Sequence, residues 1–172
     1  TAGDAVDLIA VAKSVGIGPE LKPTFANKTA QALEELGDYR LTALPAGMVE
    51  DGLTGWPLED GGDWYSYVRR WYFNPKTNQD IYFEYESYVT DCSNMEDVTR
   101  MRIGTGENPV QMKTIQGCTG ATLQNGASAS VVWLIGTPEK GTSFKLYSNS
   151  FTAEELLPIA ESVRLQPHAD NP

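Results

Sequence analysis

Trp64-Tyr-Ser-Tyr-Val-Arg-Arg-Trp-Tyr-Phe73, then Asn74-Pro-Lys-Thr-Asn-Gln-Asp80, then Ile81-Tyr-Phe-Glu-Tyr-Glu-Ser-Tyr-Val-Thr90 is the passage that decides the fold class. Its two flanks are aromatic and β-branched, as strands are, and the polar link is built from turn-forming residues. The passage reads as an antiparallel hairpin with a long connection. Side chains alternate between the faces of a strand, so the register fixes which residues are buried. Pairing Phe73 with Ile81 places Trp71 opposite Phe83, Tyr67 opposite Ser87 and Tyr65 opposite Val89, on the face expected to be core. The other face then carries Tyr72 opposite Tyr82 and Arg70 opposite Glu84, and is expected to be wet. That ion pair is worth only about 0.2–1 kcal/mol.

Outward from the hairpin, further strands are expected at residues 98–103, 110–116, 121–124, 130–135 and 143–148. Asn125-Gly126 is a hairpin-turn dipeptide of the kind that type I′ geometry demands, and Gly136-Thr-Pro-Glu-Lys-Gly141 is a second turn. Short links between consecutive strands imply an antiparallel meander. Upstream, residues 39–44 form a strand ended by Pro45-Ala-Gly47, and the Gly- and acid-rich residues 47–63 read as a loop. Helical spacing at Ala5, Leu8, Ala12 and Val15, and a short helix from about Lys28 to Leu36, make residues 1–37 a helical arm. The clearest helix is the last. Thr152 and Glu155 form a capping box, with Phe151 and Leu156 as a staple, and Leu156, Ile159, Ala160 and Val163 line one face. Pro158 is expected to kink it. The fold class is therefore α+β, an antiparallel sheet packed with a C-terminal helix and an N-terminal helical arm. Residues 38–165 are the domain and 166–172 a polar tail.

The chain has 172 residues, of which 41% are hydrophobic, enough for one folded domain. Against 13 Lys and Arg stand 23 Asp and Glu, a formal charge of −10. A nucleic-acid partner needs a basic surface to displace counterions, so none is expected. No apolar run reaches the ~18 residues of a membrane span, so this segment is not expected to insert. The chain starts at Thr1, which raises the expectation of an export signal or anchor upstream. Cys92 and Cys118 are an even pair whose bridge would stabilise by about 3 kcal/mol, and a disulfide is the favoured reading over two free thiols. The lone His168 lies in the polar tail.

Gln116-Gly-Cys-Thr-Gly120, an Asn-Gly turn, a strand with Val132-Trp133, Phe144-Lys-Leu-Tyr147-Ser and Phe151-Thr-Ala-Glu-Glu-Leu-Leu-Pro-Ile-Ala-Glu-Ser162-Val163 follow in a recognisable order. The order resembles a bacterial extracytoplasmic domain of unknown function. That domain is found at the C-terminal end of anti-sigma-factor-like membrane proteins and lipoproteins. Leu44-Pro45-Ala-Gly47 fits its opening strand, while Pro158 and Cys118 depart from its pattern. The resemblance spans residues 38–165, with its specific part in the last third. It implies an extracytoplasmic location (secreted or anchored at the cell surface), a sheet-plus-helix fold and a sensing or binding role without an active site.

The residues offer little conventional chemistry. One histidine and two distant cysteines do not make a metal site, and Asp91, Glu96 and Asp97 lack the alternating oxygens of a calcium loop. No nucleophile elbow or phosphate loop occurs, so no cofactor is expected. Glu84 and Glu86 share a strand face and are the most enzyme-like pair, because glycoside hydrolysis uses two carboxylates. Trp64, Tyr72, Tyr82 and Tyr88 on the same face form a stripe suited to a small ligand, a sugar or a partner protein. Cover of that face by the N-terminal arm or the closing helix is the favoured alternative, since helices need a sheet to pack on. The leading expectation is a non-catalytic binding module with Trp64, Tyr72, Tyr82 and Tyr88 as ligand-binding residues. A carbohydrate-active enzyme using Glu84 or Glu86, or a structural cell-surface spacer, are the alternatives.

Overall fold

The computed structural model describes the backbone of residues 21–58 and 65–167, with side chains from residue 27 on. The expected helix at Ala5 to Val15, Trp64 and the tail with His168 lie outside the described residues. The expected α+β class holds. Helix α1 (Leu21–Leu36) leads into β1 (Tyr39–Leu41), β2 (Val49–Trp56), β3 (Tyr67–Asn74) and β4 (Gln79–Val89). Helix α2 (Met95–Ile103) follows, then β5 (Gln111–Ile115), β6 (Cys118–Asn125), β7 (Ser128–Gly136) and β8 (Lys140–Ser148). Helix α3 (Ala153–Ala160) and β9 (Val163–Leu165) close the chain. Seven strands form one antiparallel sheet in the order β2-β3-β4-β8-β7-β6-β5, and β1 pairs with β9 in a two-stranded sheet. The meander is interrupted: α2 carries the chain from β4 to the far edge, and β5 to β8 then run back until β8 pairs with β4.

The hairpin forms, but one residue out of the expected register. Phe73 pairs with Asp80, Tyr72 with Ile81, Trp71 with Tyr82 and Arg70 with Phe83. Asn74 and Gln79 close a four-residue turn, in which the Asn74 side chain accepts from Lys76 N at 3.0 Å. On β4 the core face is as expected at Ile81 and Phe83, both buried, whereas Val89 at the end of the strand, also expected in the core, is 79% exposed. On β3 the partition is inverted. Val68, Arg70 and Tyr72 face inward, and Trp71 is 38% exposed. The reason is electrostatic. The Arg70 guanidinium, with no exposed surface, donates to both Glu50 oxygens at 2.9 Å, to Asp38 and to the Tyr39 carbonyl at 3.2 Å. A buried charge so paired is tolerated, and it locks β1 onto the sheet.

The inner face of the sheet carries the main core. Trp133 stacks on Phe144 (centroids 5.2 Å apart) and on Phe83 (6.5 Å), and Tyr39 of β1 meets Tyr85 and Phe144 edge-on. Helix α3 adds Leu156, Ile159 and Ala160, and α1 adds Ala32. Each fully buried Leu or Phe contributes roughly 1.5–3 kcal/mol. Pro158 sits inside α3, whose capping box of Thr152 and Glu155 forms as expected. On the outer face, α2 packs mainly on β6 and β7, through Val98 and Ile103 against Ala121, Leu123, Val132 and Leu134, and also covers Tyr88 near the end of β4.

Two elements overturn sequence expectations. Residues 98–103 are helical, because Asn94 caps the Asp97 amide, acids fill the first turn, and Glu96 pairs with Arg100 one turn on. The segment read as a loop contains β2. Its glycines suit close packing: a Cβ on Gly55 would stand 3.0 Å from that of Ala32. The type I′ geometry expected at Asn125-Gly126 appears instead at Gln116-Gly117, where both residues have positive φ.

Candidate functional site

Alternation on β3, β4 and β8 assembles three cross-strand rows on the outer face, beside α2. The first is Trp71, Tyr82 and Tyr147, and the second is Arg69, Glu84 and Lys145. The third is Tyr67, Glu86 and Ser143. Among the described residues no helix lies over these rows. Trp71 and Tyr82 meet edge to face at 5.3 Å, an arrangement that adds about 0.5–1.5 kcal/mol beyond area burial. Gly52 lies under the Trp71 ring, where a Cβ would stand 3.1 Å from it. Missing a side chain there, the indole lies flat across the edge strand.

The charged row is an ion-pair lattice. Arg69 bonds Glu84 and stacks over the Tyr67 ring at 4.2 Å. Arg102, reaching from α2, bonds Glu86 and approaches the Tyr88 ring at 5.6 Å. Between these pairs, Lys145 has no ion pair among the described residues. A cleft of about 380 Å³ opens here, lined by Tyr65, Glu84, Glu86, Met101, Arg102, Ser143 and Lys145. Burial raises the Glu86 carboxyl above its ordinary value, and Arg102 opposes that rise. Burial also raises the Tyr82 phenol, reinforced by the Glu84 charge. Two cations, Arg102 and Lys145, thus balance two carboxylates in the lining of the cleft, with the Arg69–Glu84 pair at its border, in a chain of charge −10.

The sequence-derived stripe is broken up. Of its three described members, Tyr72, Tyr82 and Tyr88, only Tyr82 stands on the open face. Tyr72 is 3% exposed on the inner face, and burial pushes its phenol up to about 12. Tyr88 is on the outer face but buried beneath α2, where its hydroxyl donates to the Thr137 carbonyl at 2.7 Å. Trp71, Tyr147 and Tyr65 join Tyr82 instead. The correct register would have found Trp71 and Arg69. The contribution of β8 rests on a strand pairing that no local pattern announces.

Cys92 and Cys118 are free thiols, so the expected bridge is not formed. The sheet separates them. Cys118 pairs with Ile115, a residue of the inner core, whereas Cys92 packs in the outer cluster under α2. Asp91, Glu96 and Asp97 hold no metal cage. Glu96 and Asp97 serve the first turn of α2, and no group of three metal-ligating side chains occurs among the described residues. No described helix is long and apolar enough to cross a membrane.

No protein-family model and no curated protein matches the sequence. Among solved structures, the chain is similar to the complex of Pseudomonas aeruginosa MucA and MucB, at 15% identity and a TM-score of 0.40. The alignment covers 77% of this chain and 36% of that one, so this chain spans about a third of its length.

Proposed function

We propose that the chain is a non-catalytic, extracytoplasmic binding module that takes its ligand or partner on the open half of the outer face. The observation that carries this reading is the uncovered row Trp71, Tyr82 and Tyr147 beside the cleft floored by Glu84, Glu86 and Lys145. Aromatic side chains offer large, rigid contact area, and neighbouring ion pairs fix the orientation of what lands there. The extracytoplasmic setting rests on the sequence resemblance of residues 116–163.

The carboxylates argue against catalysis. Each is engaged by an arginine, and a guanidinium beside Glu86 works against the protonated state a general acid needs. They also stand two residues apart on one strand, whereas glycoside hydrolysis sets its carboxylates on either side of the bond. One observation favours a hydrolase all the same: burial holds the Glu86 proton more tightly than usual.

Titrating Trp fluorescence with neutral and acidic oligosaccharides and with peptides decides between the two. A ligand of the open face should bind about tenfold more weakly to Trp71→Ala and to Lys145→Glu, with folding intact. Binding indifferent to both substitutions would remove the site. Glycan turnover that disappears in Glu86→Gln would establish the hydrolase instead.

A further inference from the structure

We infer that β5 is a docking edge for an extended segment of a partner protein with an acidic residue at its centre, which adds an eighth strand to the sheet. This goes beyond the open-face reading and uses a different surface. β5 is the last strand of the sheet, so its outer main-chain groups have no neighbouring strand among the described residues. Its register runs without a shift from Gln111 to Ile115. The opposite edge is unlike it: β2 carries an irregularity between Glu50 and Gly52, a device that discourages added strands.

Cavities flank the β5 edge on both sides. On the inner side, about 370 Å³ opens between the strand and the start of α3, bordered by Gln111, Lys113, Thr122, Thr152, Glu154 and Leu157. On the outer side, about 440 Å³ is bordered by Met112, Thr114, Thr119 and Glu96 of α2. The split follows from alternation, with Gln111 and Lys113 on one face and Met112 and Thr114 on the other. An incoming strand obeys the same period, so its successive side chains enter the two cavities in turn. That is the arrangement by which strand addition gains affinity from the main chain and selectivity from alternate pockets.

A glutamate borders each cavity, Glu154 on the inner side and Glu96 on the outer, but the one charged residue of β5 itself is a lysine, and it bears on the residue directly opposite. Lys113 is exposed at the middle of the strand and has no ion pair among the described residues. A second copy paired antiparallel about the strand centre would set Lys113 against Lys113, and like charges directly opposite are destabilising. An Asp or Glu at the centre of the incoming segment is favoured there. Five residues of β5 accept a segment of about 17 Å at ~3.4 Å per residue.

The test uses the whole chain and the peptide Thr-Val-Thr-Glu-Thr-Val-Thr, read by amide exchange and NMR titration. The peptide should slow exchange of the β5 amides that point away from β6. N-methylation of its alternate amides should weaken binding about tenfold, because main-chain bonds carry the affinity. Lys113→Glu should weaken it about threefold and favour the analogue with Lys in place of Glu. Trp71→Ala should leave it unchanged, which separates this edge from the open face. No binding at millimolar peptide, equal binding of the N-methylated form, or protection in the free protein of the β5 amides that point away from β6 would each overturn the inference. Concentration-dependent dimers protected at β5 would assign the edge to a second copy and overturn it too.

Discussion

Arg70 shows how one side chain can outvote a hydrophobic pattern. On β3, alternation allows only two inward sets. Tyr67, Arg69, Trp71 and Phe73 are the more apolar, yet Val68, Arg70, Tyr72 and Asn74 are inside. What decides is that Asp38, Glu50 and the Tyr39 carbonyl converge on the Arg70 guanidinium. Removing Arg70 leaves a void under β1 and two carboxylates that are part-exposed and so still reached by water, so Arg70→Ala should cost about 1–3 kcal/mol in urea unfolding. A loss under about 1 kcal/mol would mean the cluster is dispensable. Tyr85 makes a second residue-scale case. Its hydroxyl donates to the Gly37 carbonyl at 2.8 Å, and burial pushes the phenol from 10.0 up to about 12. Below pH 10 both folded and unfolded chains keep this proton. Above it the unfolded chain loses the proton first, so the stabilisation is lost as pH climbs towards 12, on the order of 2–3 kcal/mol. Unfolding at pH 8, 10 and 11 should show that loss. Tyr85→Phe should be weaker at pH 8 by about 1 kcal/mol and flatter above pH 10.

At the scale of elements, α2 decides which part of the outer face is open. Its caps hold it against a sequence rich in β-formers, so Asn94→Ala should cost about 1 kcal/mol. Amide exchange should speed up in residues 95–103 before the sheet, and uniform acceleration would contradict a locally held helix. The same helix marks the boundary of what the sequence discloses. Strands with alternating aromatic and β-branched residues were legible, as was the boxed helix α3, because their signals are local. α2 was misread because Val98, Thr99 and Ile103 look like a strand unless the Asn94 cap is weighed first. β2 was hidden by Gly52 and Gly55, whose lack of a side chain serves Trp71 and Ala32 across the fold. Of the site, Tyr82, Glu84 and Glu86 were visible on one strand. Trp71 was lost to the register, and Lys145, Tyr147 and Arg102 come from partners distant in sequence.

For the molecule as a whole, charge is the remaining lever. A net charge of −10 repels itself in the compact state, and that repulsion shrinks as carboxylates protonate. Glu86 pulls the same way. Its folded value is raised by burial, with Arg102 opposing, Glu84 adding, and Arg69 and Lys145 opposing further. A raised carboxyl gives stability that is full below its unfolded value near 4.5 and is lost as pH rises through its folded value. Glu139 and Glu155 have the opposite sign: hydrogen bonds from Thr137 and Thr152 lower them, so their contribution fades only as pH falls below the ordinary carboxylate range. The optimum should therefore sit in mildly acidic solution. The urea midpoint should rise from pH 8 to about pH 5 and fall below about pH 4. Salt at about 0.5 M should flatten the part due to net charge, since the Debye length is then only ~4 Å. Glu86→Gln should flatten the remainder, because the amide does not titrate. A midpoint highest at pH 8 would mean that the arginines on the open face outweigh burial at Glu86, and that the cleft holds a carboxylate stabilised in its charged form.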